Sequence, residues 1–152
     1  MSLTSLLREL SRSHFPEPPA SPNQIADFES RIGWRLDEDL RAFYLHCNGA
    51  GLFRERFPPY WFLPLERIVR TRVAIHGRDE PQWGPASWYA ICDLGDSDYA
   101  SIDTGSTANG RYRLFDCFHE TFYRPEERPM IASSFSEFLE RALASGGHRF
   151  WL

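Results

Sequence analysis

Cys117, His119 and Glu120 form the first group whose residue types could support a reaction. In an extended chain, residues two apart share a face with their Cα atoms about 6.5 Å apart, so Cys117 and His119 could pair as nucleophile and base. Nucleophile and base normally come from separate segments and need a third group that orients the base. The sequence has no such motif, no G-x-S-x-G and no phosphate-binding loop. We therefore expect no catalysis, and we expect His119 to anchor a turn through a hydrogen bond.

The second group is acidic and brackets the predicted strands. Asp93, Asp96 and Asp98 superficially resemble a calcium loop, but the twelve-residue EF-hand spacing with its glycine and final glutamate is absent. Aspartates at strand ends commonly bond nearby backbone amides, and this turn role is the simplest interpretation. The alternative is an exposed acidic recognition surface, since residues 79–110 contain no basic residue to pair with these carboxylates. Its members would be Asp93, Asp96, Asp98, Asp103 and Asp116.

Aromatic residues make up 15% of the chain, and core packing explains most of them. In an antiparallel sheet with helices on one side, alternate residues point away from the helices. The sequence leaves open whether the outward residues are Trp88, Ala90 and Cys92 or Tyr89 and Ile91. A ring exposed among carboxylates would suit a protein partner, and Trp61 and Tyr99 are the leading candidates for such an anchor.

The stretch from Leu36 to Gly49 predicts the helix that organises the fold. Carboxylates at 37–39 occupy its first turn, where the helix dipole favours negative charge. The helix is predicted to end at Asn48-Gly49, because these residues enter the left-handed conformation cheaply. Its apolar residues recur at i, i+3, i+4 and i+7, the spacing of one buried stripe: Leu40, Phe43, Tyr44 and Cys47.

Three further helices are predicted from stripes and caps. Leucines at 3, 6, 7 and 10 form an amphipathic first helix, followed by a proline-rich connector at 16–19. Ser21-Pro22 begins a second helix with Gln24 at the capping-box position, Phe28 on the buried face and Gly33 as its end. Ser134 and Glu137 form a capping box for the last helix. The buried stripe of that helix is led by Phe135, Phe138 and Leu139.

The middle of the chain is predicted to be a sheet. Residues 57–62 are aromatic and proline-punctuated, which indicates a loop entering a short edge strand, and residues 65–75 could be helical. Strands are expected at 88–92, 99–103 and 111–117, with turns at Gly95-Asp96 and at 105–110. Helices, a meander sheet and a closing helix predict an α+β fold.

Length and charge narrow the class of protein. The 152 residues suit one domain with a single core. We expect residues 1–20 to form the N-terminal helix and connector, folding as one unit with the main domain at 21–152. The net charge of −4 disfavours direct nucleic-acid binding.

The cysteines and the hydropathy of the sequence indicate the cellular compartment of the protein. Cys47, Cys92 and Cys117 are odd in number and form no C-x-x-C, so we expect three free thiols, no zinc and no cofactor. No apolar run approaches a membrane span, and residues 1–15 lack the apolar core of a signal peptide. A cytoplasmic location without membrane association is therefore expected, while the oligomeric state stays open.

An ordered series of short motifs resembles the SUKH superfamily, the family of the fungal Smi or Knr cell-wall regulators and of many bacterial immunity proteins. The N-terminal part of the series is Ile25-x-x-Phe28-Glu29, Gly33-x-x-Leu36, Asp39-Leu40-x-x-Phe43-Tyr44 and Asn48-Gly49. The rest is Leu63-Pro64-Leu65-Glu66, Gly95-Asp96, His119-Glu120 and Ser134-Phe135-x-Glu137-Phe138-Leu139. The resemblance covers roughly residues 22–145. At Asp37 the family often has proline, and aspartate also suits a helix start.

The resemblance implies a non-enzymatic binding module. Bacterial members often neutralise a cognate toxin, commonly a nuclease, by binding it. We therefore expect an immunity protein whose partner is a toxin domain. The alternatives are a regulatory scaffold of the Smi or Knr kind and, more remotely, a small-molecule hydrolase.

Overall fold

The computed structural model describes residues 1–152 and contains a seven-stranded antiparallel sheet whose strands follow their order along the chain. The predicted α+β architecture, with N-terminal helices, a meander sheet and a C-terminal helix, is confirmed. The strands are β1 Phe15–Pro16, β2 Ala50–Leu52, β3 Tyr60–Phe62, β4 Trp88–Gly95, β5 Asp98–Asp103, β6 Leu114–Cys117 and β7 Met130–Ala132. The helices are α1 Leu3–Ser13, α2 Pro22–Ile32, α3 Glu38–His46, α4 Thr71–His76 and α5 Phe135–Leu143. No helix combines the length and the apolar character that a membrane span requires.

One core lies between the sheet and the group formed by α1, α3 and α5. Phe43 of α3 is at its centre, because its ring contacts those of Tyr44, Phe62 and Phe135 at centroid distances of 5.0, 5.4 and 4.9 Å. The leucines of α1 join the same cluster, so the first helix shares the core of the domain. Leu3 of the predicted α1 stripe is only partly buried. The other predicted apolar positions of the helices are buried, among them Phe28, Leu40, Phe43, Tyr44, Phe135, Phe138 and Leu139.

The acidic start of α3 connects this helix to the rest of the fold. Asp37 is the N-cap residue, and its carboxylate accepts hydrogen bonds from the backbone N–H groups of Leu40 and Tyr112, both at 2.9 Å. Asp39 forms an ion pair with Arg111 at 3.0 Å. Burial raises the pKa of Asp37, and the two backbone hydrogen bonds offset part of that effect. These carboxylates therefore stabilise tertiary structure as well as the helix dipole.

The end of α3 differs from its prediction. The helix ends at His46, two residues earlier than expected, and Cys47 is extended with a φ of −156°. Gly49 does have a positive φ of 99°, and a Cβ atom there would lie 2.7 Å from the carbonyl oxygen of Phe62. Asn48 instead uses its side-chain oxygen to accept from the N–H of Leu65 at 2.9 Å. Asn48 and Gly49 thus pack the chain closely against the end of β3.

The other predicted caps are largely confirmed. Ser21 and Gln24 form a complete capping box, and α2 ends at Gly33 in the left-handed conformation. At α5, Ser134 accepts from the N–H of Glu137, but the carboxylate of Glu137 turns to Ser133 and Arg141. Only the Ser134 side-chain half of the predicted capping box therefore forms.

Several sheet predictions were wrong or incomplete. β3 is an interior strand between β2 and β4. The edge strand is β1, which ends at the first residue of the proline-rich connector. The short strands β2 and β7 were not predicted, because three residues carry too little alternation to detect. The expected helix at 65–75 is divided into a 3-10 turn at Leu65–Arg67 and the short α4.

The close approach at Gly49 gives a direct test of this core. Gly33 has a similar positive φ of 89°, but a Cβ atom there would have no other atom within 4 Å, so it is a matched control. We expect Gly33→Ala to cost about 1–2 kcal/mol of unfolding free energy, from the left-handed conformation alone. Gly49→Ala should cost about 1–3 kcal/mol more, because the methyl group meets the Phe62 carbonyl. Urea denaturation measures both, and equal losses would contradict the packing described for Gly49.

Candidate protein-binding surface

A continuous row of residues crosses the sheet on the face opposite α1, α3 and α5. The strand registers pair Phe15 with Gly51, Gly51 with Trp61, Trp61 with Asp93, and Asp93 with Tyr99. Paired residues in antiparallel strands point to the same side of the sheet. Three aromatic rings and one carboxylate are therefore aligned, with the glycine as a gap between the first two rings. We call this set, Phe15, Gly51, Trp61, Asp93 and Tyr99, the cross-strand row.

The rest of this outer face is covered. α4 packs on β4 and β5, and a second apolar cluster is formed by Trp88, Cys117 and Phe122. Both sides of the first five residues of β4 are consequently buried, so neither of the two outward sets considered from the sequence is exposed. The outer face remains open along the cross-strand row, from Phe15 of β1 to the partly exposed Asp93 of β4 and Tyr99 of β5.

A cleft of about 1040 Å³ lies over this open part of the row. Its floor includes Phe15, Gly51, Trp61 and Asp93, and the β4–β5 turn borders one side. The opposite wall is the segment between β2 and β3, residues 53–59, which we call the 53–59 loop. Phe57 in this loop is 82% exposed.

The 53–59 loop is held in an unusual conformation. Phe53 and Phe57 have positive φ values of 70° and 52°, which cost an aromatic residue about 1–2 kcal/mol each. The N–H of Phe53 donates to Nδ1 of His14 at 3.0 Å, and the two rings stack edge to face at 4.9 Å. Pro58 lies over Gly51, where a Cβ atom would be 3.1 Å from its Cγ. These contacts fix the wall of the cleft.

The predicted acidic surface is divided by the structure. Asp93 and Asp96 lie together at the β4–β5 hairpin, where Asp96 is exposed and Asp93 accepts from the N–H of Gly95 at 2.8 Å. Asp96 and Ser97 both have positive φ, as a two-residue type I′ turn requires. The turn centre is thus one residue later than predicted.

Asp98 was a member of the alternative exposed acidic surface, but it is buried. Only 3% of Asp98 is accessible, and its carboxylate pairs with Arg149 at 3.0 Å. It also accepts from the backbone N–H of His119 at 2.9 Å and lies 2.8 Å from Nδ1 of that ring. The local sequence has no basic residue, but the C-terminal segment supplies one. Asp98 therefore joins β5, the turn after β6 and the chain end.

The last two predicted carboxylates lie away from the cleft. Asp103 accepts from the Ser87 hydroxyl and from the N–H of Gly105, both at 2.9 Å, in a turn at the far end of β5. Asp116 points to the inner side of the sheet, where burial raises its pKa. The positive charge of Arg149 offsets part of that rise. Trp61, Asp93, Tyr99 and Asp96 are thus the predicted residues that lie near one another.

The possible nucleophile at Cys117 is in an unreactive setting. The thiol is fully buried, and burial raises its pKa to about 12. A cysteine reacts as the thiolate, which is scarcely populated near neutral pH at such a pKa. The ring of His119 meanwhile contacts Asp98. Cys47 and Cys92 are likewise buried free thiols with raised pKa values.

Sequence reasoning did not identify Phe57, Phe15 or Gly51 as site residues. Residues 57–62 were recognised as aromatic and rich in proline, but neither the exposure nor the positive φ of Phe57 is indicated by its residue type. Phe15 and Gly51 enter the surface only through strand pairing, which their short strands do not reveal.

The fold and the cleft define a small α+β domain with one open, ring-lined surface on an otherwise covered sheet. The chain belongs to the SMI1 / KNR4 family (SUKH-1), whose family model matches residues 19–141. It is 29% identical over 120 residues to the immunity protein YokJ of Bacillus subtilis (strain 168), covering 78% of this chain and 71% of YokJ. It is also 29% identical over 140 residues to the uncharacterized protein YnaB of the same strain, covering 91% of this chain and 85% of YnaB.

The His14 contact makes the stability of the 53–59 loop dependent on pH. Burial lowers the pKa of His14 below 6.5, and the charge of Glu9 opposes this only in part. The imidazole of His14 therefore binds a proton more tightly in the unfolded chain than in the folded one. The stability that neutral His14 contributes is complete above pH 6.5, and it is lost as the pH falls through the folded pKa. Protonated His14 also cannot accept the Phe53 N–H.

We expect the wild-type chain to lose more unfolding free energy between pH 7.5 and pH 5 than His14→Asn loses. The burial-lowered pKa of His76 remains in both proteins, so the difference isolates His14. Urea denaturation at the two pH values measures it. An identical pH dependence would show that the His14 contact does not support the loop.

Proposed function

We propose that this chain is an immunity protein that binds a protein toxin and neutralises it without catalysis. Membership of the family and the similarity to a protein named as an immunity protein support this function. The structural observation that carries it is the cross-strand row, which leaves Trp61, Asp93 and Tyr99 side by side on the open part of the sheet.

Binding would block the toxin through an interface of standard size, about 1,600 Å² in total. Trp61 and Tyr99 are half-buried rings on a rigid sheet, and such rings commonly act as anchors because little side-chain freedom is lost on binding. Arg67 stacks on the Trp61 ring at 5.3 Å and so helps to fix its orientation. Loss of either ring should mainly speed dissociation.

The two carboxylates at the hairpin supply charge complementarity. Neither Asp93 nor Asp96 forms an ion pair within the chain. A nuclease-type toxin fits this surface best, because a protein that binds phosphate groups carries a basic surface. Attraction between the two surfaces would accelerate association.

Co-expression tests the immunity role. Candidate toxin domains are those encoded by genes adjacent to this one. The cognate toxin domain should arrest growth when produced alone, and simultaneous production of this chain should restore growth. A purified 1:1 complex would establish that restoration follows from binding. A complex without restored growth would favour a regulatory scaffold instead, and the absence of both would contradict the proposed immunity function.

The role of the hairpin carboxylates is tested by the double variant Asp93→Asn with Asp96→Asn. Asparagine keeps the side-chain acceptor at 93 and tolerates the positive φ at 96, so the melting temperature should change little. The association rate at low salt should fall by about tenfold, and the difference should shrink as salt is added.

The matched control is Glu126→Gln with Glu127→Gln, which removes two exposed charges from a distant 3-10 turn. Stopped-flow mixing with the toxin domain measures both pairs. Equal association rates for the two double variants would place the recognition surface elsewhere. Asp98 is left unchanged, because altering it would disturb the buried contacts to Arg149 and His119.

A further inference from the structure

Phe57 is the most exposed aromatic residue of the chain. Its accessible fraction of 82% compares with 44% for Tyr123 and 40% for Phe15. Exposing a large apolar ring contributes nothing to the core of the domain. An exposed ring beside a cleft is instead typical of a surface that receives a partner.

The backbone at Phe57 strengthens this interpretation. Its φ of 52° is a conformation that glycine or asparagine adopts at little cost, whereas phenylalanine adopts it at a penalty. Strained residues that persist in a fold are concentrated at binding and catalytic sites. Pro58 on one side and the His14–Phe53 contact on the other hold the loop in place, so the ring stands at the cleft edge in a defined position.

The charge around the cleft favours a cationic occupant. Three carboxylates line it, those of Glu17, Glu55 and Asp93, and none forms an ion pair within the chain. The two lining cations are Arg54 and Arg149, and the charge of Arg149 is balanced by buried Asp98. The lining of the cleft therefore carries a net negative charge. Arg56 and Arg67 lie outside this lining, with their guanidinium groups 5.7 and 5.3 Å from the centroids of the Phe57 and Trp61 rings.

The dimensions of the floor indicate the form of the occupant. The part of the row from Phe15 through Gly51 and Trp61 to Asp93 crosses four strands. Three strand spacings of about 4.8 Å give a length of about 14 Å, which matches about four residues of extended chain. Pro58 covers Gly51, where a Cβ atom would lie 3.1 Å from Cγ of Pro58 and 3.3 Å from the carbonyl oxygen of Arg54, so a bound segment must pass outside Pro58 at this point.

We infer that the cleft seats an extended segment of the partner, about four residues long, in which an apolar side chain is flanked by lysine or arginine. The apolar side chain packs between Phe57 and Trp61, and the flanking cations meet Glu17, Glu55 and Asp93. This inference rests on the proposed function for the identity of the partner as a toxin. The chemistry of the cleft can be tested independently of that identity.

The first experiment is a nuclear magnetic resonance titration of the full ¹⁵N-labelled chain with two synthetic peptides, Gly-Arg-Phe-Arg-Gly and Gly-Glu-Phe-Glu-Gly. The arginine peptide should shift the signals of Gly51, Gly95 and the Trp61 indole with a millimolar dissociation constant. The glutamate peptide should produce no saturable shift. Equal effects of the two peptides, or shifts confined to other surfaces, would overturn the inference.

The variant Phe57→Asn removes the ring and keeps a residue suited to positive φ, so its melting temperature should be unchanged or higher. It should weaken binding of the arginine peptide about fivefold or more, as expected for loss of an anchor worth over 1 kcal/mol. The matched control is Tyr123→Asn, since Tyr123 is also an exposed ring with an arginine stacked on it, as Arg56 is on Phe57. Equal peptide affinities of the two variants would overturn the role of Phe57.

The second experiment repeats the growth assay with the same variants and the toxin domain whose effect the wild-type chain is tested against. Phe57→Asn should restore growth less well than the wild type, and Tyr123→Asn should restore it fully. Full restoration by Phe57→Asn would overturn the cleft as the seat of the toxin. If the wild-type chain itself restores no growth, the proposed function fails, and the peptide titration still decides whether the cleft binds a cationic segment.

Discussion

The register between β3 and β4 decides what the open face of the sheet presents. Phe62 and Cys92 are paired and fully buried against the helices, so their neighbours Trp61 and Asp93 must point outward together. A slip of one residue would exchange the two sets and place a carboxylate in the core. Burial of Phe62 and Cys92 therefore fixes the surface as well as the interior. The close approach of Gly49 to the Phe62 carbonyl and the Asn48 contact to Leu65 hold β3 in this register from the other side.

Carboxylates of similar sequence context have different structural roles in this chain. Asp93 and Asp98 are five residues apart, yet one lies open at the cleft and the other is buried between Arg149 and His119. A buried carboxylate is stable only with partners, and here the cation comes from 51 residues away. The number of aspartates around the hairpin is therefore larger than the number that contribute negative charge to the cleft surface. That charge comes chiefly from Asp93, Asp96 and the glutamates of the cleft.

Features set by local interactions were predictable from the sequence. The capping box at Ser21, the left-handed end at Gly33 and the stripe containing Phe43 depend on residues within two helical turns, so their patterns appear directly. The two-residue strand β1 and the three-residue β2 depend on pairing with distant segments, and such short runs carry no periodicity.

The candidate site was only partly predictable for the same reason. Trp61 and Tyr99 could be chosen as rings near carboxylates, but their alignment through Asp93 is a property of register. Phe57 was missed because residue type alone predicts a buried ring, whereas this one is exposed on a loop with a positive φ. Asp98 was misplaced because its partner Arg149 lies in the C-terminal segment.

A partner that binds on the open part of the sheet would leave the helices free. Hydrogen exchange of backbone amides can be compared between the free chain and its complex with a toxin domain that it neutralises in the growth assay. We expect slower exchange in the complex at residues 53–61 and 93–99, with little change in α2 and α3. Slower exchange confined to α2 and α3, with the 53–59 loop and the β4–β5 turn unchanged, would contradict this expectation.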